Sequence, residues 1–263
     1  MKSKLHRLFF TSGNEAPSSL ARALNFSAAF LLLVFIFYFS FHQLAYHWSW
    51  KSVFAYRRKF ITGWLVTILI SLCSLVVSTL IGLLFALARR SPFLPLRYFS
   101  RIYVEVIRGT PLLVQILIFF YVVADAFAVQ NRYIVGVLTL SVFSGAYISE
   151  LIRAGIESIG KSQLESARAI GLTAAQTYRY VIFPQAIRQI LPPLAGQFAS
   201  LIKDSSLLSI IGINEFALSA QEVNSYTYST LESYIPLALG YLILTLPISL
   251  WTQSLERKHR FET

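Results

Sequence analysis

The sequence predicts an all-α integral membrane protein, a polytopic helical bundle of about six spans, and three observations point that way. Of 263 residues, 56% are hydrophobic and only 13% charged, with a mean hydropathy of +0.60. A soluble domain carries about 25% charged residues. The apolar residues fall in six long blocks rather than in the short periodic stripes that fold around a single core. The Lys and Arg residues gather between those blocks, as they do in cytoplasmic loops of membrane proteins. Lipid offers no hydrogen-bond partners, so each block satisfies its own backbone only as a helix.

The blocks cover residues 24–45, 60–88, 103–124, 133–151, 193–213 and 234–251. Each is at or near the ~20 residues that a helix needs to cross hydrocarbon. The opening MKSKLHRLFF is basic and then apolar, as in a signal peptide. Polar residues and Pro17 follow at once, and the run 24–45 is longer than an h-region, so it is read as a retained first span. With the N-terminus inside, sixteen Lys and Arg residues fall on the inner side, from Lys2, Lys4, Arg7 and Arg22 to Arg257, Lys258 and Arg260. Five fall outside, namely Lys51, Arg57, Arg58, Lys59 and Arg132, and the outer connection 214–233 has three Glu and no basic residue. That bias predicts both termini in the cytoplasm of a multi-pass protein. The basic stretch 48–59 runs against it, and is either an interfacial amphipathic segment or a sign that the first block does not fully cross.

Several function classes are excluded. The net charge of +11 is scattered between apolar blocks with no aromatic-interleaved basic face, which argues against a nucleic-acid partner. Cys73 is alone, so no intrachain disulfide forms, and it is read as a small packing residue. His6, His42, His47 and His259 lack metal-ligand spacing and read as interfacial residues. There is no GxxxxGK[ST] phosphate loop, and no nucleophile and base converge on one membrane depth. The chain is therefore read as non-catalytic and free of cofactors.

The longest polar connection on the inner side, 153–189, is the most informative segment. Ser162 followed by Glu165 has the spacing of a capping box and predicts a helix start there. That helix carries Leu164, Ala167 and Ile170 on adjoining turns, and Gly171 stands where a left-handed residue stops it. Thr173 and Gln176 repeat the start signal, and the second helix passes Tyr178 and Val181 to end before Pro184. Two short amphipathic helices joined at a glycine result, too short to span.

Glu165-Ser166-Ala167, three residues, Gly171, nine residues, then Val181-Ile182-Phe183-Pro184 resembles the EAA loop of membrane subunits of ABC importers. Ser166 stands for the usual Ala, Val181 for Ile and Phe183 for Leu, with the spacing intact. VIRGTPLLVQ (106–115), GAYISELIRAGIESI (145–159), IFPQAIRQILPPL (182–194) and LIKDSSLLSIIGINE (201–215) are similar to the polar amino-acid permease branch of that family, the histidine and glutamine type. Ser162 and Leu164 stand where that branch usually has Gly and Trp, and Gly196 where it commonly has Asn.

The resemblance covers roughly 61–251 and implies the fold of a type I ABC importer transmembrane domain. It divides the chain into an N-terminal extension with one additional span (1–59), a permease domain (60–255) with its coupling loop at 160–185, and a cytoplasmic tail (256–263). It also implies the partners: ATP-binding cassette ATPase subunits, an extracytoplasmic solute-binding protein, a second permease subunit, identical or paralogous, an amino-acid substrate and membrane lipid. Leu164, Glu165, Ser166, Ala167, Ile170, Gly171 and Pro184 then couple to the ATPase, with Glu165 capping the first helix and Gly171 setting the angle of the second.

Charges at membrane depth carry the remaining expectations. Lys203 and Asp204 fall inside the fifth block, where a charge costs at least about 2.5 kcal/mol. They either border a translocation path or form a structural ion pair with another helix or at a subunit interface. Arg108 with Glu105, and Glu150 with Arg153, are candidate i,i+3 pairs. Gly109 and Pro111 weaken the helix beside Arg108, which permits a bend next to a path. Ser141 with Gly145, and Gly196 with Ser200, have the four-residue spacing that lets helices approach closely. An ATP-independent transporter or channel is the rival reading, and it predicts inverted repeats or several intramembrane carboxylates; neither is visible.

Overall fold

The computed structural model describes residues 9–10, 17–43 and 46–259. Lys2, Lys4, His6, Arg7 and Arg260 lie outside the described residues, as do the last two positions of the first block and the side chains of Arg257, Lys258 and His259. The described residues are mostly helical, with no strand among them. They form two compact units, Met1–Trp48 and Ser49–Thr263. The first holds α1 (Ser19–His42), capped by Ser18, whose hydroxyl accepts from the Ala21 amide at 3.2 Å.

In the second unit, α2 (Trp50–Ala55) leads into α3 (Arg57–Ala88), and α6 (Arg132–Glu157) packs along α3 more extensively than any other pair. Sequence explains the closeness. Thr67, Ser71, Ser74 and Ser78 fall three or four apart on α3 and are fully buried, while Leu65, Leu69, Leu72, Val76 and Leu80 are exposed. A Cβ on Gly145 would stand 2.7 Å from Ile81, and one on Gly82 2.6 Å from Ile148. Small residues bring the backbones together and large apolar ones face outward, the inverse of a soluble core. Of the two small-residue pairs expected, Ser141 and Gly145 therefore lie in a tight seam, whereas Gly196 has open space around it. Cys73 lies on the exposed flank of α3 rather than in the packing.

The third block is not one straight span. α4 (Leu94–Gly109) meets the helical stretch Leu112–Ala126, which opens with α5 (Leu112–Ile118), at 110°. Thr110 is extended, as a residue before proline prefers. The Gln115 amide nitrogen lies within hydrogen-bond distance of the Ile107 carbonyl (2.8 Å), the Thr110 carbonyl (3.1 Å) and the Thr110 hydroxyl (2.7 Å), which fixes the corner. The break expected at Gly109 and Pro111 is there.

The loop helices are α7 (Lys161–Ala169) and α8 (Ala174–Thr177). The second does not end before Pro184, contrary to the sequence expectation. A wide turn over Tyr178–Ile182, in which the Phe183 amide donates to the Tyr178 carbonyl five residues back, joins α8 to α9 (Phe183–Asp204). Such a turn admits a proline with no amide to donate, so the helix runs on.

The fifth block is likewise redrawn: α9 begins at Phe183, and after Asp204 a tight 3-10 stretch over Ser205–Ile211 ends at Gly212 with φ +71°. Among the described residues, four helices are long and apolar enough to cross a membrane, α1, α3, α6 and α11 (Thr230–His259), and five if α4 and α5 form one bent span. α9 falls short on composition, because Gln185, Arg188, Gln189 and Lys203 lower its mean hydropathy.

α10 (Phe216–Thr227) fills the connection 214–233, and its three glutamates are all used. Glu215 caps α10, Glu222 pairs with Lys59, and Glu232 accepts from the Ser49 amide. The anomalous basic stretch 48–59 thus contains a short helix, α2, and sets Lys59 against Glu222 of α10.

Candidate functional site

The loop between α6 and α9 is held by a small apolar cluster. Ile156, Ile159 and Ala186 are its buried members, with Ile152, Leu164, Ile182 and Ile190 packed against them. Leu164 thereby seats α7 on the ends of α6 and α9, and Ala167, 2% exposed, faces the same way. Gln185 donates from its amide to the Gln163 side chain at 3.3 Å, a further tie between α9 and α7. Glu165 and Ser166 are exposed on the outer face, and Ile170 at the helix end is 76% exposed. The apolar positions of α7 divide: Leu164 and Ala167 anchor it, and Ile170 points away.

The start of α7 differs from expectation. Gly160, extended at φ −59° and ψ 142°, precedes it, and no side chain caps it. Ser162 is already the second helical residue, so its hydroxyl does not accept from the Glu165 amide, and Glu165 is not a cap. The stop at Gly171 is as read: φ is +79°, the Gly171 amide donates to the Arg168 carbonyl at 2.9 Å, and the Leu172 amide to the Ala167 carbonyl at 3.0 Å. These two bonds make a Schellman end. Thr173 and Gln176 form the expected capping box, the Gln176 amide donating to the Thr173 hydroxyl and the Thr173 amide to the Gln176 side-chain oxygen. Pro184 follows directly on the wide turn over Tyr178–Ile182, which tolerates its missing amide.

At the same end of the bundle, Glu150 gathers three helices. Its carboxylate accepts from Arg89 at the end of α3 (3.0 Å), pairs with Arg153 on its own helix and lies 4.0 Å from Arg108 of α4. Glu150 and Arg153 are the pair expected. Arg108 does not pair with Glu105: it faces Glu150, and Glu105 takes Arg101, four residues back on α4, at 2.8 Å. Arg108 also lies over the Tyr147 ring at 5.3 Å.

Residues 78–261 match the family described as binding-protein-dependent transport system inner membrane component. The chain belongs to this family. The glutamine transport system permease protein GlnP of Escherichia coli K12 is 35% identical over 212 residues, 80% of this chain and 97% of that one. The L-cystine transport system permease protein TcyB of Bacillus subtilis is 40% identical over 193 residues, 73% of this chain and 82% of that one. The solved structure of an amino acid ABC transporter with histidines superposes with a TM-score of 0.76 at 37% identity, covering 81% of this chain and all of the other. The fold is accordingly that of a type I ABC importer transmembrane domain.

In this permease the residues singled out as bordering a path are only partly brought together. Arg108 and Gly109 end α4 at the corner, and no atom stands within 4 Å of a Cβ built on Gly109. Lys203, exposed, and Asp204, half-buried, end α9, and among the described residues no ion pair joins either to Arg108 or to another helix. Two buried groups escaped the sequence reading. Glu215 accepts from the Ala217 amide (2.8 Å), the Leu218 amide (2.7 Å), the Tyr241 hydroxyl (3.0 Å) and the Thr67 hydroxyl (3.3 Å), tying α10 to α3 and α11. Gln115 closes the α4–α5 corner. Glu215 opening an apolar helix was the available signal for an N-cap; its distant partners left none.

Proposed function

We propose that this permease is the membrane subunit of an ATP-driven importer for a polar amino acid or a similar small solute. Residues 160–185 receive a separate ATP-binding cassette ATPase. The observation that carries the reading is the exposed face of α7: Glu165, Ser166 and the apolar Ile170 are presented outward at a glycine-stopped helix end, backed by Leu164 and Ala167. Ile170, with Tyr180 and Phe183 also exposed in the same anchored loop, suits a protein groove better than water.

The geometry supports a mechanical role. From Ala174 to Asp204 the helix is unbroken, about 45 Å at 1.5 Å per residue. A push on the capped start of α8 is carried as a rigid shift to Lys203 and Asp204 at the far end, which then border the translocation path with Arg108 and Gly109. ATP binding to the partner biases the permease between inward-open and outward-open states. The chain itself does not hydrolyse ATP. It works as a dimer, with itself or a paralogue, and takes its solute from an extracytoplasmic binding protein; the relatives named for glutamine and for L-cystine support a polar amino acid as the class. The inner membrane holds the chain with both termini in the cytoplasm. Residues 1–59 are an extension with an added span, 60–255 the permease domain, and 256–263 a tail.

Purification in mild detergent tests the coupling. A P-loop ATPase is recovered with the wild-type permease and lost when Glu165 and Gly171 are both replaced. Equal recovery with the folded double variant refutes the assignment of the loop.

A further inference from the structure

A second feature lies at the same end of the bundle, outside the coupling loop. A cleft of about 610 Å³ opens between the end of α3, the first two turns of α4 and the end of α6. Arg89, Arg90, Arg97, Arg101 and Arg153 line it, with Glu157 as its only acid. Its size falls within the range of about 300–1,000 Å³ of small-ligand pockets. Three of the five arginines are already matched: Arg89 and Arg153 by Glu150, Arg153 also by Glu157, and Arg101 by Glu105. Arg90 and Arg97 make no ion pair among the described residues, and both are exposed.

The surroundings of the cleft name the ligand's source. Leu94 and Tyr98 line it beside the arginines, and Phe93, Phe99 and Ile102 of the same helix are 59–64% exposed. Leu84 and Leu87 at the end of α3 are exposed too. A helix with guanidinium groups along one flank and bare aromatic and aliphatic side chains along the other has the composition of one lying in the headgroup layer. Guanidinium forks match phosphate oxygens in pairs. We infer that this cleft binds the phosphate headgroup of an anionic phospholipid, with Arg90 and Arg97 as its principal ligands and Arg89, Arg101 and Arg153 held in place by their glutamates. The lipid pins the α3–α4 corner to the membrane surface. The inference needs only that the chain sits in a bilayer, and holds whatever the solute or the motor.

Native mass spectrometry of the full chain, purified in detergent and supplied with phosphatidylglycerol or phosphatidylcholine, reads the binding. Phosphatidylglycerol should remain bound and phosphatidylcholine should not, and Arg90→Gln with Arg97→Gln should weaken retention about twentyfold. Arg90→Lys with Arg97→Lys, which keeps the charge but not the fork, should recover only part of it, and full recovery would overturn the role of the paired guanidinium contacts. Millimolar inorganic phosphate should not displace the lipid; displacement would mean that a free anion is the ligand and would overturn the lipid assignment. A photoactivatable headgroup on phosphatidylglycerol, used with the wild-type chain, should label residues 89–101 or 153. That arm stands whether or not the variants fold. Labelling elsewhere, equal retention of both lipids, or unchanged retention in the folded double variant overturns the inference, as does protection of residues 89–101 by an added protein but by no lipid.

Discussion

At the scale of single residues, two positions carry energy out of proportion to their size. Gly171 is left-handed with nothing within 4 Å of a built Cβ, so a substitution there acts through the backbone alone. An L side chain costs about 1–2 kcal/mol in that conformation, and Asn less. Gly171→Val should therefore speed hydrogen exchange over residues 161–172 roughly tenfold, with Gly171→Asn in between. Glu215 is fully buried and accepts four hydrogen bonds. Glu215→Ala leaves those donors unmatched and should cost about 2–4 kcal/mol, with a smaller loss for Glu215→Gln, read as apparent Tm in detergent. Legibility follows range. The Thr173 and Gln176 capping box was readable because its partners are three residues apart. The same spacing at Ser162 and Glu165 misled, since Gly160 had already begun the helix. The partners of Glu215 on α3 and α11 left no trace in local sequence.

At the scale of elements, the seam between α3 and α6 decides whether the bundle forms. Gly145→Val places methyl groups where Ile81 already stands, and should cost about 1–3 kcal/mol or abolish folding. Gly196→Ala, on open helix, should be neutral or stabilising by up to about 1 kcal/mol. Yield of monodisperse protein and its melting temperature check the pair. The spacing of Ser141 and Gly145 was visible in the sequence, yet so was that of Gly196 and Ser200, and only packing tells them apart. Helix ends were less legible than helix bodies. Pro184 reads as a stop, but a wide turn lets the helix pass it; Gly109 and Pro111 read as a weak point, and Gln115 completes the corner.

At the scale of the whole molecule, the apolar blocks, the glycine-hinged loop and the family were all readable, because bilayer thickness and backbone satisfaction leave few architectures. The bounds of the fifth block were less so: 193–213 joins the second half of α9 to the 3-10 stretch that follows it, and the polar first turns of α9 hid where that helix begins. The measurement that tests the account most directly is solute uptake by vesicles holding the assembled transporter, with wild-type chain or Ile170→Asp, with and without ATP. Uptake should require ATP and fall at least about tenfold when a carboxylate is placed at the apolar contact, the variant remaining folded. Uptake at full rate without ATP, or unchanged uptake with Ile170→Asp, would contradict it.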